Sequence, residues 1–220
     1  MRKQGNVFLW TGILLLVLFA VWTMLIQIVN VQIAGETKMP VGFASFNCWF
    51  HDLTGTHMYL YTITDWLGLV PLFICFVFGG LGFVQLIRRK SLWKVDPDLI
   101  VLGIYYILVI FAYLIFEMIP LNYRPIFIEG RLEASYPSST TLLVLSVMPT
   151  LVFQVRRRLR RKNRIRVISV LSALFTVFMV VGRLLSGVHW FTDIAGSVLL
   201  SASMFCVYGA VVILYCKEEK

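Results

Sequence analysis

Long apolar runs separated by short polar segments fill most of the chain. Six runs reach or approach the roughly 20 apolar residues that an α-helix needs to cross about 30 Å of hydrocarbon. They cover residues 7–33, 66–87, 99–119, 138–155, 165–183 and 194–216. The pattern therefore predicts an all-α fold, a bundle of six membrane-spanning helices that forms one domain over residues 1–220.

The segments between these runs alternate between basic and acidic. The basic set consists of Arg2, Lys3, Arg88, Arg89, Lys90, Lys94, the stretch "RRRLRRKNRIR" at 156–166, Lys217 and Lys220. The other set holds Lys38, Arg124, Arg131 and Arg183 against seven acidic residues. Because basic loops stay in the cytoplasm, both termini are predicted to be cytoplasmic. The stretch at 156–166 is interpreted as a topology anchor, and a site for anionic lipid or a partner is the alternative.

The composition agrees with a membrane protein. The chain is 59% hydrophobic and 14% charged, whereas a soluble domain has about 45–50% apolar and about 25% charged residues. The net charge of +9 does not indicate a nucleic-acid partner, because the basic residues lie in short loops beside the apolar runs. The first run is too long for the apolar part of a signal peptide. The four cysteines show no CxxC spacing, so free thiols are expected and no disulfide framework.

Ionisable residues on the outer side concentrate in "GRLLSGVHWFTD" at 182–193. His189 and Asp193 stand four residues apart, so on a helical turn the carboxylate can reach the imidazole. An Asp that accepts from one ring nitrogen leaves the other nitrogen free as a nucleophile or base. Arg183 adds a guanidinium that suits an oxyanion such as phosphate. The alternative is that these are ordinary charges in contact with water.

A second candidate element is "YPSSTTLL" at 136–143. Pro137 followed by hydroxyl residues is typical of a helix N-terminus, where backbone N–H groups and the helix dipole favour an anion. Ser138 has the simpler alternative role of a helix cap. Arg124 precedes Pro125, which keeps that segment extended and supplies a second guanidinium on the same side.

These three stretches together resemble the signature of the type 2 phosphatidic acid phosphatase family, also called the lipid phosphate phosphatase and vanadium haloperoxidase superfamily. That signature is written K-x6-R-P, then P-S-G-H, then S-R-x5-H-x3-D. Here the three parts read "EMIPLNYRP" at 117–125, "PSST" at 137–140 and "GRLLSGVHWFTD" at 182–193. The resemblance covers the whole chain, because membrane members of the family are six-helix bundles with these parts on spans three to six.

The resemblance implies a role for each matching residue. His189 would be the nucleophile that takes the phosphoryl group, and Asp193 would orient it. Arg183 would act with them as the third catalytic residue. Arg124, Ser138 and Ser139 would hold the phosphate oxygens and stabilise the charge of the transition state. No metal or other cofactor is implied.

Two signature positions with a chemical role are altered, whereas the change of the family serine to Gly182 is minor. The family lysine that binds phosphate falls on Glu117, and the family histidine that protonates the leaving group falls on Thr140. Losing a general acid typically costs about 10²–10⁴-fold in rate. A glutamate beside a phosphate dianion is repulsive unless it is protonated or paired.

Three consequences of these changes stay open at this point. The substrate could be a diphosphate, whose departing phosphate has a second pKa of roughly 6 and needs little protonation. Another residue could supply the proton, with Glu133 and His57 as the main candidates and Glu117 and His51 as further ones. Finally, the protein could bind a lipid-phosphate headgroup, or act as a partner subunit, without efficient turnover.

The sequence favours an enzyme among these alternatives. We expect a phosphatase of the cell membrane that hydrolyses a lipid phosphate or, preferentially, a polyprenyl diphosphate. It would act at the outer face through a phosphohistidine, with the bilayer and the lipid as its partners. A transporter is disfavoured, because the ionisable residues lie at one face of the predicted bundle, whereas transporter sites lie near the midplane.

Overall fold

The structure of the protein, a computed structural model, describes residues 2–216. Those residues form α1 (Arg2–Ile28), β1 (Gln32–Ala34), β2 (Met39–Val41), α2 (Ala44–Thr54), α3 (Met58–Leu67), α4 (Leu69–Arg89), α5 (Pro97–Met118), α6 (Ser139–Arg158), α7 (Lys162–Leu185) and α8 (Phe191–Tyr215). A short 3₁₀ turn at Leu92–Lys94 joins α4 to α5. The predicted all-α class is confirmed, with one small hairpin added.

Six helical segments within residues 2–216 are long and apolar enough to cross a membrane. They are α1, the joined pair α3–α4 (Met58–Arg89), α5, α6, α7 and α8. The prediction of six spans is therefore confirmed. Lys217 and Lys220, two members of the predicted basic set, lie outside the described residues.

The first apolar run ends differently from the prediction. It was expected to be helical to Ile33, but α1 ends at Ile28 and Asn30 takes a left-handed conformation with φ of 48°. The chain then forms the antiparallel pair β1–β2, in which Gln32 lies opposite Val41. Gly35, with φ of 72°, allows the tight turn between these strands. Apolar composition alone does not separate a helix end from a short strand.

The core of the bundle is built around α6 and α8, the two spans with the largest buried share. α1 packs closely along α8, because Gly12 lets the two backbones approach. A Cβ added at Gly12 would lie 2.8 Å from Cγ2 of Val207. Across this interface the Ser203 hydroxyl donates to the Gly12 carbonyl at 2.8 Å. Small residues at helix contacts are typical of membrane bundles.

Buried hydroxyl and amide groups link the helices in the interior. Tyr105 donates its hydroxyl to the Ser146 carbonyl at 3.1 Å. Gln154 donates from its side-chain amide to the Tyr208 hydroxyl at 2.8 Å. These bonds tie α5 and α8 to α6, and in hydrocarbon they satisfy groups that water cannot reach.

One end of the bundle carries a charge cluster that joins α4, α5 and α6. Arg158 contacts both carboxylate oxygens of Asp98, at 2.9 and 2.8 Å. Arg158 and Arg89 also reach Asp96, at 3.1 and 2.8 Å. This end holds most of the basic residues, and the ionisable residues of the predicted site lie at the opposite end.

Candidate active site

Three connections at that opposite end of the bundle build the site. The loop between α5 and α6 folds back on itself, because Arg124 and Ser135 donate their backbone N–H groups to Glu133 and Asn122 at 3.1 and 2.9 Å. The turn between α7 and α8 carries His189. Gly187 in this turn, with φ of 71°, packs so closely on the α2–α3 link that a Cβ would lie 2.9 Å from Cα of Thr56.

A polar cavity of about 360 Å³ lies between these connections. Its wall includes five of the predicted site positions and Arg131. These six are Glu117, Arg124, Arg131, Glu133, Ser139 and His189, and the hydroxyl-bearing residues Tyr113, Ser135 and Tyr136 also line the cavity. The structure therefore brings together residues from all three parts of the signature.

His189 is held in an orientation that leaves one ring nitrogen free. Its Nδ1 donates to the Ser135 carbonyl oxygen at 3.1 Å, and the side chain is 1% exposed. Its Nε2 is buried and has no hydrogen-bond partner among the described residues. Since a carbonyl oxygen only accepts, Nδ1 carries the hydrogen and Nε2 presents a lone pair.

Burial, followed by the positive charges of Arg124 and Arg183, holds the pKa of His189 well below its ordinary value of 6.5. The imidazole is therefore neutral at pH 7. A neutral ring with a free Nε2 is the form that a nucleophile requires.

Asp193 does not make the direct hydrogen bond to His189 that is expected from the sequence. Its Oδ2 is 3.8 Å from Nδ1 of His189, which is longer than a hydrogen bond. The carboxylate accepts instead from the backbone N–H of Trp190 at 2.9 Å and from the Asn122 amide at 3.2 Å. It fixes the start of α8 and the turn that carries His189, while Ser135 makes the direct hydrogen bond to the ring.

Arg183 is almost completely buried, and one face of α3 holds it. Its Nη1 donates to the Tyr61 carbonyl and the Thr64 hydroxyl, both at 3.4 Å. Its Nη2 lies 3.4 Å from Oδ1 of Asp65. These three residues, spaced i, i+3 and i+4 on α3, form what we call the α3 cradle. They were not predicted from the sequence, although that spacing places them on one helix face.

The aromatic ring of Tyr61 also brings the two arginines together. The guanidinium carbon of Arg183 lies 4.7 Å from the ring centroid, and that of Arg124 lies 5.7 Å from it. Arg124 additionally pairs with Glu133 through a contact of 3.1 Å. Nε and Nη1 of Arg124 and Nε of Arg183 are buried without a hydrogen-bond partner among the described residues.

The start of α6 supplies the next part of the wall. Ser138 is buried, and its hydroxyl donates to Thr141 at 3.1 Å, so it takes part in the helix start. Ser139 lines the polar cavity and also an apolar groove of about 370 Å³. Thr140 and Asp65, the latter from the α3 cradle, both line that groove. Neither residue lines the polar cavity.

The four candidate proton donors are separated by the fold. Glu117 and Glu133 line the polar cavity. His57 lies outside it, beside Tyr59, and donates its backbone N–H to the Ser186 carbonyl. His51 contacts the Gly187 carbonyl through Nε2 at 3.2 Å and the ring of Trp190, away from the cavity wall.

Comparison with known proteins identifies the family. A family model described as the PAP2 superfamily matches residues 105–215, just over half of the chain. The chain therefore belongs to the PAP2 superfamily, as the resemblance predicted. No curated protein sequence matches the chain significantly.

A solved structure shares the fold. It is described as the crystal structure of the first transmembrane PAP2 type phosphatidylglycerolphosphate phosphatase from Bacillus subtilis, and the TM-score is 0.67. The alignment covers 96% of this chain and 100% of that chain at 14% sequence identity. The protein thus has the fold of a multi-pass membrane phosphatase.

Proposed function

We propose that the protein is a membrane phosphatase that hydrolyses a lipid phosphate, with a preference for a lipid diphosphate. The observation that carries this proposal is a group of buried nitrogen atoms that have no hydrogen-bond partner within residues 2–216: Nε and Nη1 of Arg124, Nε of Arg183 and Nε2 of His189. Unpaired buried donors are costly. A bound phosphate oxyanion satisfies the guanidinium donors and sets its phosphorus before the free lone pair of His189.

The reaction proceeds in two steps. Nε2 of His189 attacks phosphorus, a P–N bond forms, and the P–O bond to the leaving group breaks. Arg124 and Arg183 stabilise the negative charge on the equatorial oxygens. Water then attacks the phosphohistidine, the P–N bond breaks, and phosphate leaves. Ser139 and the backbone at the start of α6 bind one phosphate oxygen at a helix N-terminus.

The preference for a diphosphate rests on Thr140. A threonine hydroxyl is a poor acid, so a leaving group that departs without a proton is favoured. A departing phosphate meets that condition far better than an alkoxide does.

The location at the outer face rests on the charge asymmetry of the connecting segments. A single cysteine introduced at the exposed position Glu129, in a variant without the four native cysteines, should react in intact cells with a maleimide that cannot cross the membrane. A cysteine at Lys90 serves as the opposite control. Labelling of position 90 in place of position 129 would contradict the proposed orientation.

The activity is tested by phosphate release from a lipid diphosphate, a polyprenyl monophosphate and a phosphatidic acid. The wild-type protein should hydrolyse at least one of these faster than His189→Ala does, and should form an acid-labile phosphoenzyme. If no substrate is hydrolysed faster than by the variant, the protein is not a phosphatase. Retained binding of the same lipids would then support the alternative of a lipid-phosphate binder.

A further inference from the structure

The polar cavity and the apolar groove meet at two residues. Tyr113 and Ser139 line both spaces, whereas His189 lines only the cavity and Thr140 only the groove. The rest of the groove wall is mostly apolar and comes from α4, α5 and α6, with Leu72 and Ile110 among its residues. A substrate with a phosphate in the cavity and a lipid chain in the groove therefore has its scissile bond near this junction.

The geometry of displacement decides which side the leaving oxygen takes. In phosphoryl transfer the attacking and leaving atoms lie roughly in line through phosphorus. Since Nε2 of His189 attacks from the cavity, the leaving oxygen points toward the groove. Thr140, the position where the family places its leaving-group acid, lies on the groove wall and agrees with this direction.

Asp65 has the only carboxyl group among the residues that line this groove. It comes from the last turn of α3, immediately before Gly68. A Cβ added at Gly68 would lie 2.9 Å from the Asp65 carbonyl and 3.7 Å from Cγ2 of Thr140, so the α3–α4 junction packs against Thr140. The Asp65 side chain is 57% exposed, and its Oδ1 is 3.4 Å from Arg183.

We infer that Asp65 is a catalytic residue that protonates the leaving oxygen in place of the residue altered at Thr140. The inference rests on the proposed phosphatase activity. As the P–O bond breaks, a proton on Oδ2 of Asp65, the oxygen that does not accept from Arg183, passes to the leaving oxygen, which departs as an alcohol or as a protonated phosphate. The resulting carboxylate takes a proton from the attacking water in the second step. This restores the Asp65 carboxyl as the P–N bond breaks and His189 becomes free again.

Glu133 is less suited to this role. Both carboxyl groups contact an arginine, Glu133 at 3.1 Å and Asp65 at 3.4 Å, but Glu133 lies on the cavity side where the phosphate oxygens bind. It does not line the groove in which the lipid chain and the leaving oxygen lie. Glu133 therefore holds Arg124 in position, and Asp65 acts on the leaving group. A diphosphate depends less on Asp65 than a monoester does, because its leaving phosphate needs less protonation.

The test compares substrates that differ in their need for a proton. Asp65→Asn keeps the shape of the side chain and an oxygen that accepts from Arg183. It is expected to lower kcat/KM for a long-chain alkyl phosphate about 10²–10⁴-fold, the range for loss of a general acid. For nitrophenyl phosphate, whose leaving group departs without a proton, kcat/KM should fall far less, because only the weakened contact between residue 65 and Arg183 contributes to the loss. The phosphohistidine should accumulate with this second substrate, because Asp65 no longer activates water.

Three controls separate catalysis from positioning. Glu133→Gln should lower kcat/KM equally for both substrates, since it acts through Arg124. Asp65→Glu should recover part of the alkyl phosphate activity. Inhibition by vanadate should be similar in wild type and Asp65→Asn, which shows that the fold and the arginines are intact.

The outcomes distinguish the two proposals. Equal losses on both substrates in Asp65→Asn would overturn the role of Asp65 as the acid but not the phosphatase proposal. A loss confined to the alkyl phosphate in Glu133→Gln would have the same consequence. A wild-type protein no faster than His189→Ala on either substrate would contradict the phosphatase proposal and this inference together.

Discussion

Tyr61 is predicted to hold Arg124 and Arg183, the two arginines of the proposed phosphate site, in place before any substrate arrives. Arg124 and Arg183 carry like charges and repel each other. Their guanidinium carbons nevertheless lie 5.7 and 4.7 Å from the centroid of the same ring. Both distances fall within the roughly 6 Å over which a cation is attracted to an aromatic face. Removing the ring should therefore release both arginines at once.

The size of the effect follows from these two contacts. A cation–π contact contributes about 0.5–1 kcal/mol when exposed and about 2 kcal/mol when desolvated. Arg183 is buried and makes the shorter contact, whereas the contact of Arg124 is longer. Together they amount to about 1.5–3 kcal/mol, or roughly a 10- to 150-fold change in an equilibrium constant. The Tyr61 carbonyl that accepts from Arg183 remains in any side-chain variant.

The assay measures vanadate inhibition and kcat/KM of Tyr61→Leu and Tyr61→Phe. The leucine variant should lose vanadate affinity and kcat/KM by the factor above. The phenylalanine variant keeps the ring and should remain close to wild type. If both variants lose affinity equally, the hydroxyl group matters and not the ring. If neither variant loses affinity, Tyr61 does not position the arginines.

Three further predictions concern the leaving group, the nucleophile and the opposite end of the bundle. Thr140→His should raise the rate on monoesters more than on diphosphates, and equal gains would contradict the leaving-group argument. Folding holds the pKa of His189 below 6.5. As the pH falls below 6.5, His189 therefore takes up a proton in the unfolded chain but not in the native protein. Stability should therefore decrease by up to about 1.4 kcal/mol per pH unit below about 6.5. Thermal unfolding in detergent at pH 7.5 and 5.5 checks this, and His189→Asn should remove that share of the pH dependence. Arg158→Ala breaks the two-point contact with Asp98 and should cost about 1–3 kcal/mol, whereas Arg160→Ala at an exposed position in the same basic stretch should cost little. Equal thermal shifts for the two arginine variants would contradict this.

The sequence predicted the bundle well because the length of an apolar run is fixed by the thickness of the membrane. It predicted the segments between the runs less well. Residues 44–54 form α2, and the second span begins at Met58, well before the apolar run that starts at Trp66. The stretch "MYLYTITD" mixes apolar and polar residues, so hydropathy alone does not reveal that it is helical.

The sequence predicted only those parts of the candidate site that belong to the spaced signature. His189 and Arg124 do face one cavity, because the three connections meet at one end of the bundle. The α3 cradle was not predicted, since its contacts with Arg183 join residues 118 to 122 positions apart in the chain. Ser135 was also missed as the partner of His189, because a backbone carbonyl leaves no mark in the sequence.

The two altered signature positions lie on different walls and so affect different steps. Glu117 belongs to the polar cavity, where it is exposed, while Thr140 belongs to the apolar groove. An exposed charge is screened by water and salt, whereas buried charges interact in a lower dielectric. In the proposed reaction the buried pair Arg124 and Arg183 therefore dominates the binding of phosphate, and the glutamate weakens that binding less than its charge alone indicates. The loss at Thr140 has no such compensation from the arginines, because it concerns the proton of the leaving group and not the charge of the phosphate. The need for a new residue is thus confined to the groove side, where the carboxyl of Asp65 lies.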